Sequence, residues 1–544
     1  MKIFTLILLS LTFITVLRAQ QYTRVQLDSM YSEFINIKEV KTANIPVRAD
    51  SEHVKCAFGV VNFVIVNMSL FTAQQQSVLK TLLSRPITSD SIITPSGFFI
   101  IHYDAAGYQM LKYSISDLAK AVDSAFYFET NYLGYPPPPQ DADGYYHIYA
   151  TNLGGGLYGY TQFEGEITPG SRRYHSYMMI DNDYTGYYSS GINGARVTAA
   201  HEMFHAIQVG NYLYREEDLF YYEMSSTAME EFVFDTVNDY YAYMKDYFIN
   251  PNRAFAKYSG YDIAIWNIFL ADKFGYDILK RQWDLMKTMR ALNAIANSLF
   301  EYNSTFGEEL RDFGINCFYT NYRALLPEAA NYAFEEAAKY PVIKAITTLP
   351  LPSPDVKMNS SPSANNYLRF VNGLDTLYTL VSNSDYKSGI DSINSSFPFQ
   401  YHLYDEERTG TYKLTNKYFA AFSVAKPAFW SASEIYNNTL ISQGNIDAEN
   451  IDYTFPSPFF YSKNSFIFIP IIPNNSSEVD LNIYTSSMDL VYQSHQTIST
   501  LYGRFVVKWN GKNNSGDKLA TGVYLYVTKT ADEVKKGKLV IFNE

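Results

Sequence analysis

Residues 197–208 read Val197-Thr198-Ala199-Ala200-His201-Glu202-Met203-Phe204-His205-Ala206-Ile207-Gln208. Neither Pro nor Gly interrupts Ala195 to Gln208, and Gly210 stands where a C-terminal cap is expected, so a helix is predicted. On a helix, His201 and His205 lie at i and i+4, one above the other on one face. Two imidazoles so spaced can each offer a nitrogen to one Zn²⁺ at about 2.0–2.1 Å. Glu202 lies one step round, beside the coordination position that a catalytic zinc keeps open. There it can take a proton from a metal-bound water whose pKa has fallen to about 7. The competing reading is an amphipathic helix whose histidines bond to backbone. The chain has 8 histidines in 544 residues, so H-E-x-x-H should arise by chance in about one such chain in a hundred, which favours the metal.

A catalytic zinc also needs a third protein ligand. After Gly210 the chain is predicted to turn into a second helix over about 219–247. Glu223 and Glu230 share one stripe of that helix, two turns apart. Either could close the site, the other then orienting a ligand from behind; the reach of a helix hairpin favours Glu223. Glu231 faces elsewhere and is expected to be solvated or ion-paired. A tyrosine hydroxyl can stabilise the oxyanion of an attacked carbonyl, and Tyr261, with Tyr258 behind it, is the candidate. The strand Tyr177–Asp181 is expected to pair with extended substrate backbone. His102, alone on a strand, reads as a core or edge residue.

The chain exceeds what one hydrophobic core usually serves, and 47% hydrophobic residues suffice for several. A net charge of −12 and the lack of any Lys/Arg run argue against a nucleic-acid partner. Residues 1–19 have the form of a signal peptide: Lys2, an apolar run from Ile3 to Val16, then Ala19. That run is short for a membrane span, so a secreted or cell-surface protein is expected. Cys56 and Cys317 could form one disulfide in such a compartment, and neither is read as a zinc ligand. Asp141 and Asp143 beside Gly144 read as a turn or as a structural Ca²⁺ site.

Residues 20–90 form a leader, either propeptide-like or the first layer of the next domain. Helical patterns over 26–40 and 72–83 flank a strand-like apolar run at 58–66. Residues 91–348 form the domain that carries H-E-x-x-H. A Pro/Ser/Asn-rich linker spans 349–366. Short β-like runs at 367–371, 376–381, 399–404 and 418–424 suggest a β-sandwich module over 367–455. Residues 456–544 suggest a second, immunoglobulin-like sandwich turning at Asn510-Gly511.

Several blocks carry a resemblance. They are Thr94 to Tyr103, Leu133-Gly134-Tyr135 with Pro136 to Pro139, Leu153 to Tyr160, Ala200 to Gln208, and Met229-Glu230-Glu231 to Asn238-Asp239-Tyr240. In this order they resemble a family of secreted bacterial zinc metallopeptidases of the gluzincin kind. The resemblance implies zinc on His201 and His205, Glu202 as general base, and Glu223 where the family has a Glu-Gly pair. Here Met224 replaces that Gly, and Thr227 stands where thermolysin-type gluzincins carry an Asp. Trp509-Asn510-Gly511, Gly516, Leu519 to Tyr524 and Gly537 to Val540 are similar to the immunoglobulin-like domain of flagellar hook-capping proteins and to type IX secretion sorting domains. That likeness implies contact with secretion machinery or the cell surface. The expectation is a multidomain chain, an α+β zincin-like metallopeptidase domain followed by two β-sandwich modules. Its expected work is zinc-dependent endopeptidase action on polypeptide. The alternative is a non-catalytic surface or matrix-binding protein on a degenerate metallopeptidase fold.

Overall fold

The computed structural model describes residues 22–39, 55–154, 156–350, 359–361, 363–373, 399–405, 416–424, 440–441, 454 and, except 463, 472–475, 502–503 and 532, residues 458–544. The signal segment and the strand expected at 376–381 lie outside them. The chain forms two compact units, residues 1–380 with 396–442, and residues 381–395 with 443–544.

The first unit begins with helices α1 (Arg24–Glu39), α2 (Phe58–Val66) and α3 (Ala73–Leu82). Reciprocal capping starts α3: the Thr72 hydroxyl accepts from the Gln75 amide, and the Gln75 side chain accepts from the Thr72 amide. The α2 segment corrects the sequence reading, which expected a strand. Its run is apolar but for Gly59 and the buried Asn62, and periodicity cannot tell a short buried helix from a buried strand. Phe58, Val61, Phe63 and Val64 are all buried on it.

A five-stranded sheet follows, built from β1 (Asp90–Ile93), β2 (Phe99–Tyr103), β3 (Tyr146–Thr151), β4 (Gly159–Glu166) and β5 (Tyr174–Asp181) in the order β1-β2-β3-β5-β4. β2, β3 and β5 run parallel, while β1 and β4 are antiparallel to their neighbours. β5 therefore lies inside the sheet with both edges paired. The end strand of the sheet beside the H-E-x-x-H helix is β4, its outer edge met by the segment from Lys55 to Ala57, which corrects the placement of substrate pairing on Tyr177–Asp181.

Helix α4 (Ile115–Phe126) is N-capped by Ser114, whose hydroxyl accepts from the Asp117 amide. Helix α5 (Ile192–Asn211) packs against α4, β4 and β5. Apart from Arg196 it is buried from Gly194 to Gly210, the pattern of a helix enclosed on every face. Gly210 is not the cap, because α5 continues to Asn211. A Cβ at Gly210 would strike the Pro139 ring, and Asn211 Nδ2 donates to the carbonyls of Pro136 and Pro137. The proline run thus seats on the end of α5. Helix α6 (Leu219–Val233) packs on α5 and ends well before the expected 247; a short turn at Asp239–Ala242 follows.

Helices α7 (Ile265–Phe274), α8 (Asp277–Leu285), α9 (Ala291–Glu301) and α10 (Phe306–Phe318) complete the helical layer. Strands β6 (Thr347–Pro350), β7 (Ala364–Gly373), β8 (Phe399–Asp405) and β9 (Asn416–Val424) form a sheet ordered β6-β7-β9-β8 that packs on α10. The Tyr367 hydroxyl donates to the Gly314 carbonyl at 2.7 Å, and the Phe255 amide donates to the Ser363 carbonyl. These strands thus belong to the first unit, and both ends of the expected 349–366 linker are strand. The two cysteines are free and buried, which removes the disulfide from the reading.

The second unit holds two sheets. One contains β10 (Phe459–Phe460), β12 (Glu478–Thr485), β13 (Leu490–Thr497), β16 (Gly522–Lys529) and β17 (Val534–Phe542), in the order β10-β17-β16-β12-β13. The other contains β11 (Ile467–Pro470), β14 (Ser499–Leu501) and β15 (Arg504–Trp509), with β15 central. Ile469, Leu481, Val507, Trp509, Tyr526 and Ile541 lie in its core. Gly511 has φ +76°, and the Asn510 side chain accepts from the Lys512 amide, as the Asn-Gly turn signal requires.

Candidate metal centre

α5 presents His201 and His205 toward α6. His201 Nε2 and His205 Nε2 lie 3.2 and 3.3 Å from the same oxygen, Glu223 Oε2. Ligands about 2.1 Å from a tetrahedral centre are themselves about 3.4 Å apart, so this spacing suits one zinc. The outer nitrogens are held from behind. His201 Nδ1 meets Glu230 Oε1 at 2.8 Å, and His205 Nδ1 meets Gln208 Oε1 at 2.8 Å and Ser226 Oγ at 3.1 Å. Such outer partners fix the ring orientation and the nitrogen that faces a metal.

The structure brings Glu223 to the two histidines and leaves Glu230 outside, on the far side of His201. Thr227, where the resemblance calls for an Asp, has a buried hydroxyl without a hydrogen-bond partner. The carboxylate on His201 Nδ1 comes instead from Glu230, one turn further along α6. Glu230 also shares the buried Lys55 ammonium with Asp239, at 2.5 Å each. Glu231 is half-buried and forms no ion pair among the described residues; burial, with Glu336 and Asp235 nearby, pushes it to about 9.

Glu202 is buried beside this group, its Oε2 accepting from the Thr161 hydroxyl of β4 at 2.9 Å. Gly159 makes the close approach of β4 possible, since a Cβ there would meet Thr198 Cγ2 at 2.6 Å, the Met179 carbonyl at 2.8 Å and Glu202 Cγ at 3.2 Å. The Tyr261 ring stacks on His201 with centroids 5.9 Å apart. Gly260, at φ +103°, lets it do so, because a Cβ would meet the Met224 amide at 2.7 Å and Glu223 Cβ at 2.8 Å. Tyr258 donates its hydroxyl to the Asn250 carbonyl, away from the centre.

The sequence reading set both cysteines aside as ligands, and the structure corrects this for one of them. Cys56, just before α2, joins His201, His205 and Glu223, and the four donor atoms all lie within 4.8 Å of one another. Its sulfur accepts from the Phe58 amide at 3.3 Å. No spacing motif connects it to the helix.

Glu202, Glu223, Glu230 and Asp239 are all buried, and Lys55 pairs with the last two of them. Burial opposes charge on His201, yet hydrogen bonds from Glu223 and Glu230 outweigh it and raise its pKa to about 9. Burial also opposes charge on Glu223, but the His205 charge and both histidine hydrogen bonds hold it down to about 2. Burial raises Glu202 and, together with the Glu202 and Glu223 charges, lifts the Cys56 thiol well above its ordinary value. A divalent ion would favour the thiolate and both carboxylates at once. A sulfur, two imidazoles and a carboxylate form a donor set of zinc type.

The other candidates are engaged elsewhere. Asp141 accepts from Arg85 at 2.6 Å, and Asp143 meets His147 at 3.1 Å and accepts from the Tyr145 amide, the turn being the first of the two readings the sequence offered. His102 Nε2 meets His147 Nδ1 at 2.8 Å.

Comparison with known proteins places one part of the chain. Residues 462–533 match the FlgD Ig-like domain. No curated protein matches the chain. Among solved structures it is similar to PorZ, an essential bacterial surface component of the type IX secretion system of Porphyromonas gingivalis. Identity there is 17% over 19% of this chain and 14% of that one, with a TM-score of 0.14. It is also similar to dimeric latent PorU of the same organism, with 21% identity over 23% of this chain and 14% of that one, TM-score 0.14. The chain thus spans about one-seventh of either protein's length. The protein is a multidomain chain with helical and β-sheet regions and a C-terminal β-rich Ig-like domain.

Proposed function

We propose that the first unit is a zincin-like metallopeptidase domain and the protein a secreted or cell-surface zinc-dependent endopeptidase acting on extended polypeptide. Its Ig-like domain would serve export or attachment. The observation that carries the reading is the placement of Glu202 beside His201, His205 and Glu223. A purely structural centre needs the ligands but not a fifth, unliganded acid next to them. When bound there, zinc supplies Lewis acidity and lowers the pKa of a coordinated water to about 7. Glu202 takes the proton and returns it to the leaving amine, with Thr161 fixing which oxygen faces the reaction. Glu230 and Gln208 hold the two imidazoles in register. Tyr261, over His201, donates toward the carbonyl oxygen of the substrate.

The second reading is a non-catalytic surface protein with a structural metal. The observation in its favour is closure, since His201, Glu202 and His205 are each at most 1% exposed, and structural zinc sites are closed. Zinc content and casein cleavage of the chain and of Glu202→Gln separate the two. The peptidase reading expects equal zinc and a loss of about 10²–10⁴-fold in cleavage, as for removal of a general base. Equal cleavage by both chains, or no zinc in either, would overturn it.

A further inference from the structure

We propose that residues Lys55–Val66 are a built-in plug. Cys56 is the fourth metal ligand, its neighbours occupy the edge of β4 where substrate backbone would lie, and Phe58 fills the adjacent side-chain pocket. The inference rests on the peptidase reading and adds to it a closed form and a way of opening.

Three observations meet on this segment. The first is the donor cluster: Cys56 completes a set of four protein ligands, which leaves no open position. The second is main-chain pairing. The Tyr158 amide donates to the Lys55 carbonyl at 2.9 Å, and the Ala57 amide donates to the Gly159 carbonyl at 3.3 Å, in a parallel bridge between Cys56 and Gly159. Further along the same edge, Asn62 on α2 acts like a strand. Its Nδ2 donates to the Thr161 carbonyl at 2.8 Å, and its Oδ1 accepts from the Phe163 amide at 2.9 Å. A free strand edge would offer these groups to an added peptide. The third is Phe58, fully buried and stacked on His205 with centroids 3.9 Å apart and planes 1° from parallel. Phe163, Tyr214 and Tyr222 close around it at 5.7–6.0 Å. With the plug withdrawn, this aromatic pocket beside the metal would take a large aromatic side chain of the substrate.

The segment is anchored by Lys55 between Glu230 and Asp239, so it does not open by loop motion alone. The connection between α3 and β1 offers the place to sever it: Ile87 is 98% exposed.

The test uses the chain without its signal segment, with a site-specific protease sequence placed at Ile87. It is loaded with Co²⁺ for spectroscopy and Zn²⁺ for hydrolysis of casein. The intact chain should show a sulfur-to-cobalt charge-transfer band, which Cys56→Ser removes and Cys317→Ser keeps. Cleavage and removal of the leader should abolish the band. Because activity scales with the open fraction, the same step should raise hydrolysis by about tenfold or more, with peptides bearing Phe or Tyr cut first. No band in the intact chain, together with equal hydrolysis before and after cleavage, would overturn the plug and leave the peptidase reading standing. A band lost on cleavage, with no hydrolysis before or after, would overturn the peptidase reading and with it the plug, leaving Cys56 as a ligand of a structural metal.

Discussion

Replacing Lys55 by Met should destabilise the first unit more than almost any other single change of similar volume. Lys55 Nζ lies 2.5 Å from Glu230 Oε2 and 2.5 Å from Asp239 Oδ2, and all three side chains are at most 1% exposed. The rings of Tyr158 and Tyr243 flank it at 5.1 and 4.8 Å. Methionine keeps the packing and removes the charge, leaving Asp239 to the Tyr158 hydroxyl and Glu230 to His201. Breaking a buried ion pair on one side costs about 3–5 kcal/mol. Burial alone would lower the Lys55 pKa, but Asp239 and Glu230 outweigh it and leave it raised. Its contribution is therefore fully present below the ordinary lysine value and lost only as pH climbs through the folded value, so between pH 5 and 8 it is constant. The variant behaves otherwise. With one buried positive charge gone, its deficit should grow as pH rises, by up to about 1.4 kcal/mol per pH unit for each proton the folded variant takes up. Urea titration with hydrogen exchange read on peptides from α5 and α6 measures both effects. Adding Asp239→Asn should recover part of the loss. A deficit below about 1 kcal/mol, or one that does not change with pH, would refute the claim that this lysine neutralises the acids behind His201.

Chelation should lower the melting temperature of the first unit, since metal held only by the folded chain adds about 4 kcal/mol when free zinc is a thousand times the Kd; differential scanning calorimetry with and without chelator reads it. Gly260→Ala should cost about 1–3 kcal/mol and weaken zinc retention, because a Cβ at φ +103° would strike the α6 backbone at Met224 and the Glu223 side chain. Zinc content after dialysis checks the second half of that expectation. Trp509→Ala should cost the second unit about 3–5 kcal/mol while leaving hydrogen exchange in α5 unchanged, since Trp509 is fully buried in that unit's own core.

The helical and immunoglobulin-like parts were legible in the sequence because their signals are local. The helical pattern over 72–83 and the Asn510-Gly511 turn are read from neighbouring residues alone, and the structure has a helix at Ala73–Leu82 and the turn at Gly511. The misreadings came from long-range packing. Phe58–Val66 is apolar but for Gly59 and a buried Asn62, and so shows no polar face from which a helical period could be read. Gly210 looks like a cap but makes room for Pro139, a partner 71 positions earlier in the chain. The β7–β9 strands look like a separate module because their alternation is local, whereas their attachment to α10 depends on tertiary contacts such as Tyr367 with Gly314.

The centre divides the same way. His201, Glu202 and His205 sit within one helical turn and a bit, so their common placement could be argued from the period alone. Glu223 needed only a hairpin of two helices. Glu230 could be placed on the right stripe but not assigned a side of His201, because what settles its position is Lys55, far upstream and with no motif of its own. Cys56 depends on the same segment. The Lys55 anchor that pairs with Glu230 also sets the adjacent cysteine beside His201, His205 and Glu223, so the support behind His201 and the proposed fourth ligand come from neighbouring residues. Withdrawing the segment would open the site and also strip Glu230 and Asp239 of their cation. The opened form should therefore hold the acids behind His201 less firmly than the closed one, and a divalent ion bound in front would be the remaining positive charge in reach of that imidazole.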